Sequence, residues 1–216
     1  MVHRDIDGNE IPTGKVHRRL EGNFVTDTVP NWITTYSNNA TTSLTNRPIS
    51  NGRGPLRFSC DGTSGGINLP AVDPTAFREI RIGAAMSVSS GGDMYVNTGF
   101  ANTTGDIADN GTDGVIVAAE YNAADTTATV NEVGGGDKYD TNYSYVLEGK
   151  PIVMELRLRP FEDGVTVLGG GGTSVFWEQN GLGMSYDTYY PKIEIAPVDG
   201  NGDVDISKIW MDVFHN

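Results

Sequence analysis

A single cysteine, Cys60, stands in this chain, so no intrachain disulfide can form. In Phe58-Ser59-Cys60 it falls on the apolar parity of a strand and reads as a small buried hydrophobe. Basic residues are few: 15 Lys and Arg face 28 Asp and Glu, a formal net charge of -13. Nucleic acid is excluded as a partner on that ground, because phosphate neutralisation needs a clustered positive surface. No run approaches the roughly 18 apolar residues of a spanning helix, so no membrane insertion is expected. The start, Met1-Val2-His3-Arg4-Asp5, lacks the apolar segment of an ordinary export signal. Helical periodicity is missing as well; residues 73–79, DPTAFRE, carry an N-cap-like Asp and an early Pro but make only about one or two turns.

What the chain has in abundance is glycine, 28 residues, with small polar residues crowding the gaps between short alternating segments. That punctuation suits tight turns between strands. The clearest alternation lies in residues 150–177, where Ile152, Met154, Leu156 and Leu158 share one face and Glu155, Arg157 and Arg159 the other. The Glu162-Asp163-Gly164 corner supplies an Asp-Gly step that reverses the chain into Val165-Thr166-Val167, an antiparallel hairpin with one wet face. Residues 78–88 alternate for longer, with Ile80, Ile82, Ala84, Met86 and Val88 together, and are expected to cross the centre of a sheet. Further strands are expected at 20–25, 56–60, 94–100, 115–121, 126–133, 143–147, 192–198 and 204–214, the last with Ile209, Met211 and Val213 on one side. About ten to twelve short strands without helical crossovers indicate an all-β, antiparallel two-sheet β-sandwich and exclude a parallel α/β sheet.

Nothing marks a boundary between two domains. Residues 1–19 are polar and broken by Gly8, Pro12 and Gly14, and read as an extended N-terminal arm ahead of one sandwich domain over residues 20–216. The arm carries Arg4, Lys15, Arg18 and Arg19, which suits it to clasp an acidic neighbour. The acidity of the chain has two readings: ordinary solubility, or adaptation to high salt, where a dense carboxylate surface stays hydrated and its self-repulsion is screened. The excess of Asp and the scarcity of Lys favour the second.

The order of these segments resembles that of concanavalin A-like lectin/glucanase jelly rolls. It runs from Arg19-Leu20-Glu21-Gly22-Asn23-Phe24 through Gly114-Val115-Ile116-Val117-Ala118-Ala119-Glu120-Tyr121 and the pair at 152–158 and 165–168 to a closing hairpin over 193–214. The resemblance covers residues 20–216 and implies that the last strand lies beside the first. The composition resembles that of haloarchaeal proteins, and the two together resemble structural modules of haloarchaeal tailed viruses. This implies a virion component without enzymatic activity: a capsid turret, decoration or tail protein, assembled in the host cytoplasm. Its partners would be other virion proteins, further copies in a homo-oligomer and a host surface glycan. The lectin/glucanase likeness implies, as the alternative, a carbohydrate-binding lectin-like module or a diverged glycoside hydrolase.

A glucanase of this kind needs paired acids, Glu-x-Asp-x-x-Glu, one attacking the anomeric carbon while another protonates the leaving oxygen. Here Glu155 is followed by Arg157 and Arg159, a cross-strand charge ladder in which the carboxylate is held ionised, so no catalytic residue is assigned. The best candidate recognition surface is Trp177, Tyr186, Tyr189 and Tyr190 interleaved with Asn180 and Asp187, since rings stack on sugar faces while amides and carboxylates fix hydroxyls. The same rings could instead close the end of the sandwich or fill a subunit interface. Asp199, Asn201, Asp203 and Asp205 place oxygens at alternate positions as Ca2+ loops do, but Trp210 stands where the bidentate acid belongs, and a solvated hairpin turn competes with that reading. No other cofactor is expected. His3, His17 and His215 lie near the termini without metal-ligand spacing. Sequons at Asn39, Asn102, Asn110 and Asn142 fall in expected loops or their edges.

Overall fold

The computed structural model of the protein describes residues 3–4, 10–11, 17–23, 29–49, 52–73, 76–102, 104–105, 114–122, 127–133, 152–162, 164–169, 174–180, 188–198 and 200–215. Its strands, in chain order, are β1 (His3–Arg4), β2 (Glu10–Ile11), β3 (His17–Asn23), β4 (Thr34–Ile49), β5 (Gly52–Asn68), β6 (Phe77–Gly91) and β7 (Met94–Ala101). They continue with β8 (Gly114–Asn122), β9 (Thr127–Val133), β10 (Ile152–Arg159), β11 (Gly164–Gly169), β12 (Ser174–Asn180), β13 (Tyr190–Pro197) and β14 (Asn201–His215). The architecture is antiparallel throughout, as the alternating segments predict.

The two best sequence signals occupy the middle of one sheet. β6 lies between β10 and β14, and its Ile80, Ile82, Ala84 and Met86 are buried on one face. β10 buries Met154, Leu156 and Leu158 and reverses through a 3-10 turn at Pro160–Glu162 into β11, with Arg159 opposite Gly164. β14 lies beside β3, Met211 opposite Leu20, so the last strand does pair with the first strand of the sandwich. That pairing starts at His17, ahead of Leu20, and β1 and β2 form a small ribbon in the N-terminal segment.

A first sheet runs β12-β11-β10-β6-β14, with β14 flanked at its start by β5 and at its end by β3; a second runs β5-β13-β7-β8-β9. The two are joined because β4 and β5, paired along their whole length, pass from one to the other. The bend comes where Asn38 faces Ser64 and Ala40 faces Gly62, and both bend residues there have positive φ, Asn39 at 47° and Gly62 at 130°. Only glycine serves at 62, since a Cβ would fall on the Asn39 carbonyl. Two further crossings gather at the same end, with Gly91 and Gly200 at positive φ and the Gly62 amide donating to the Gly200 carbonyl.

The core lies between the sheets. Leu56, Phe58, Val204 and Ile206 face it from one side, and Val96, Phe100, Ile193 and Ile195 from the other. On β14 the inward parity changes from Val204 and Ile206 to Ile209, Met211 and Val213, which a bulge at residues 206–208 makes possible. Cys60 is 1% exposed and packs as the small hydrophobe its parity predicts.

Several expectations are corrected. Residues 193–214 do not form a hairpin: β13 and β14 belong to different sheets, because both must cover the core from opposite sides. Of residues 73–79, which make at most one or two helical turns by their sequence, the part from Phe77 is strand. Residues 34–49, where the sequence gives no strand signal, form one long strand, and the strand expected at 56–60 runs on through the glycines at 62, 65 and 66 within β5. His215 is half-buried against Phe77, ring centroids 4.6 Å apart. The strand expected at 143–147 lies outside the described residues.

Candidate functional site

Of the residues named for recognition, the structure brings one onto a polar face. Tyr190 opens β13 on the same side as Lys192 and Glu194. Tyr189 does not belong with it: at 2% exposure its ring is part of the core, fixed by paired backbone bonds to Val72, so it packs and presents no stacking surface. Trp177 and Asn180 lie on β12, at the far edge of the first sheet, with Val167 opposite Trp177 and Gly164 opposite Asn180. Tyr186 and Asp187 lie outside the described residues.

The Asp/Asn series belongs to the first sheet. Asn201, Asp203 and Asp205 lie in β14, where extended backbone spreads alternate side chains along the strand instead of curling them around an ion. Arg57 engages both acids: it donates to Asp205 Oδ1 and Oδ2 at 2.8 and 3.1 Å and lies 3.5 Å from Asp203 Oδ2. Its bond to Asp205 raises the guanidinium above its ordinary pKa, burial pulling the other way. Asp203 also accepts from Ser90 Oγ at 2.6 Å. Asp199 lies outside the described residues, and among those described no group of three or more His, Cys, Asp or Glu is placed to hold a metal.

Glu155 faces outward on the first sheet, as its alternation predicts, but its partners are not a cross-strand ladder. Arg157 of its own strand donates to Oε1 at 2.7 Å, and the Trp210 indole donates to Oε2 at 3.0 Å from two strands away. A depression of about 420 Å³ opens there beside Arg81 and Lys208. Its two cations Arg81 and Lys208 are engaged within the protein, Arg81 with Glu79 and the Phe214 ring, Lys208 with Glu21 and the Trp210 ring. A second depression, of about 520 Å³, is lined mainly by apolar side chains, Leu20, Trp32, Phe77 and Met211 among them, with Asp73 and His215 at its wall.

The most developed polar site is on the outer face of the second sheet. Ile193 and Ile195 point into the core, so Lys192 and Glu194 of β13 point away from it, yet both are 0% exposed. Lys and Glu are seldom buried so fully unless paired. Glu194 accepts from Tyr36 Oη at 2.7 Å and from Asn97 Nδ2 at 3.1 Å. Lys192 Nζ donates to the Gly105 carbonyl and lies 4.9 Å from the centroid of the Tyr36 ring. Asn68 Nδ2 donates to the Thr104 carbonyl at 3.1 Å. The registers set the rows: Glu194 faces Gly66 and Asn97, and Lys192 faces Asn68 and Gly99. Asn68 Oδ1 and Asn97 Oδ1 are buried without a hydrogen-bond partner. Two residues before Asn97 on the same face, Tyr95 is 37% exposed. Buried amide and carboxylate groups thus underlie this face between two tyrosines, Tyr95 and Tyr190. Sequence reasoning missed all of it but Tyr190, because Tyr36 and Glu194 are 158 residues apart and only the pairing of β4, β5, β13 and β7 joins them.

No protein-family model matches the sequence, and no curated protein matches it. Solved structures do. The Emp47p carbohydrate recognition domain aligns over 89% of this chain and 93% of its own at 15% identity, with a TM-score of 0.56. The Lotus tetragonolobus seed lectin aligns over 91% and 100% at 8% identity, with a TM-score of 0.58. The exoplasmic/lumenal domain of VIP36, in a form bound to Ca2+ and Man3GlcNAc, aligns over 83% of each chain at 11% identity, with a TM-score of 0.54. At such identities the likeness is one of fold, and the fold of this chain is the concanavalin A-like jelly roll of those lectin domains.

Proposed function

We propose that the protein is a carbohydrate-binding module whose glycan lies along the outer face of β13 and β7. The observation that carries this reading is the buried polar row Tyr36–Glu194–Asn97, flanked by the exposed Tyr95. The row holds that face rigid from within, and the Tyr95 ring beside it is an aromatic surface of the kind on which a sugar stacks. Tyr95 faces Ala196 and Tyr190 faces Ala101, so the two rings are separated by about six residues of strand, roughly 20 Å, a length that fits several sugar units. The fold adds support, since the similar structures are lectin and carbohydrate recognition domains, one of them with Man3GlcNAc bound. Binding without turnover is part of the proposal: both oxygens of Glu194 are engaged by donors, as are both of Glu155. A virion role rests on composition and strand order alone and draws nothing further from this site.

A glycan array followed by calorimetric titration tests the reading. Tyr95→Ala is expected to weaken binding of the best glycan roughly tenfold, in line with a ring contact of about 1 kcal/mol or slightly more, while leaving the melting temperature nearly unchanged. Cleavage of any bound polysaccharide would remove the non-enzymatic part. Undiminished binding by Tyr95→Ala would move the site elsewhere.

A further inference from the structure

We infer that the depression beside Leu20, Trp32 and Phe77 is a second binding site, for a small organic cation: an alkylated ammonium carried on an apolar body. The inference goes beyond the carbohydrate reading and does not rest on it. At about 520 Å³ the depression has the size of a small-molecule site. Buried Met211 and Val213 of β14 line it, and Leu20 of β3 stands opposite Met211. Backbone bonds hold the remaining walls in place. The Ile33 amide donates to the Pro30 carbonyl at 3.2 Å around the turn that carries Trp32. Val72 and Tyr189 exchange two bonds of 2.9 Å, and the Ala76 amide donates to the Asp73 carbonyl at 3.2 Å just before Phe77. A site built this way is formed before any ligand arrives.

Three half-buried rings, Trp32, Phe77 and His215, belong to the lining. The Phe77 and His215 rings are tilted by 56° at 4.6 Å between centroids, so they make a corner and not a flat stack. Such a corner suits an alkylated ammonium, whose methyl groups each lie against a ring while its charge is drawn to the ring quadrupoles. Asp73 adds a carboxylate to the wall, and among the described residues no Lys or Arg lines the depression. An anion would meet that carboxylate, on a chain of net charge -13. A neutral apolar molecule would use the rings and gain nothing from the charge. A cation with an apolar body uses both. Asp73 is exposed, so water screens its share and the rings carry most of the preference.

The full isotope-labelled chain is titrated, with NMR detection, with choline and with its uncharged match, in which a tert-butyl group replaces the trimethylammonium. Choline is expected to give saturable shifts at the Trp32 indole N–H and the Met211 methyl, and to bind roughly tenfold more tightly than the match. Phe77→Leu keeps an apolar side chain but removes a ring; it should weaken choline roughly fivefold and leave the uncharged match nearly unchanged. Asp73→Asn should weaken choline about twofold to threefold. Tyr95→Ala, on the glycan face, should bind choline as the wild type does. If Phe77→Leu does not fold, Asp73→Asn and the comparison of the two probes on the wild type decide. Equal binding of choline and its match overturns the choice of a cation. Shifts that do not saturate, or that spare Trp32 and Met211, overturn the site itself, whatever the glycan array shows.

Discussion

Each sheet has a carboxylate reached by an aromatic ring that lies across a glycine on the strand between them. In the first sheet Gly83 faces both Glu155 and Trp210, and the indole crosses it to donate to Glu155. In the second, Gly66 faces both Tyr36 and Glu194, and the phenol crosses it in the same way. A Cβ at Gly83 would fall on the Trp210 ring, and one at Gly66 would meet Tyr36 Oη at 2.6 Å and also the rigid Ile193 carbonyl. Gly83→Ala and Gly66→Ala must therefore lift a ring and strip a buried carboxylate of a donor, at a cost of about 2–4 kcal/mol. Thermal melts should show a fall on the order of 5–10 °C for each. Gly105→Ala, with nothing among the described residues within 4 Å of the added carbon, is the control and should change little. A Gly83→Ala variant melting with the control would mean that the ring adapts freely. Only part of this was legible in the sequence: a glycine inside an alternating segment signals close approach, but not of what. The ring and the acid come from strands far away in the chain.

At the level of elements, the sequence is informative where burial is one-sided and silent where it is not. The alternation of Ile80 to Met86 and of Met154 to Leu158 matches the observed faces because those strands lie mid-sheet, with one face on the core. β4 gives no such signal: Thr35, Ser37, Asn39, Thr41 and Ser43 are exposed, and even its inward positions are only half-buried, as at an outer strand paired to β5 alone among the described residues. The crossings are also illegible, since Gly91 and Gly200 look like hairpin glycines yet lead from one sheet to the other. The N-terminal boundary follows from pairing: β3 begins at His17, with Phe214 opposite. Deleting residues 1–16 should therefore leave a cooperative melt close to that of the full chain, whereas deleting residues 1–23 removes β3 and bares the β14 backbone from Lys208 to Phe214. The longer deletion is expected to lower the melting temperature sharply or to aggregate. Equal stability of the two truncations would show that β3 contributes nothing to the sandwich.

For the whole molecule, the decisive quantity is charge. With 15 basic residues against 28 acidic, the folded state gathers a net charge of -13 onto one domain. Some carboxylates have close cationic partners, as Asp205 has in Arg57 and Glu21 in Lys208, and salt weakens those pairs. The two effects of salt therefore oppose each other. Exposed pairs contribute no more than about 1 kcal/mol each, while the excess of acids repels over every distance within a Debye length. Repulsion should win, so the protein is expected to melt at a lower temperature as salt falls from about 0.3 M to about 0.01 M, where screening sets in only beyond roughly 30 Å. Screening and salting-out separate by range. Screening acts mainly while the Debye length shrinks from about 30 Å at 0.01 M to about 8 Å at 0.15 M, whereas exclusion of salt from the surface keeps growing into the molar range. Melting temperatures in potassium chloride from 0.01 to 2 M check this directly. A rise concentrated below about 0.3 M supports self-repulsion as the cause, and a melting temperature that is unchanged or higher at low salt rejects it.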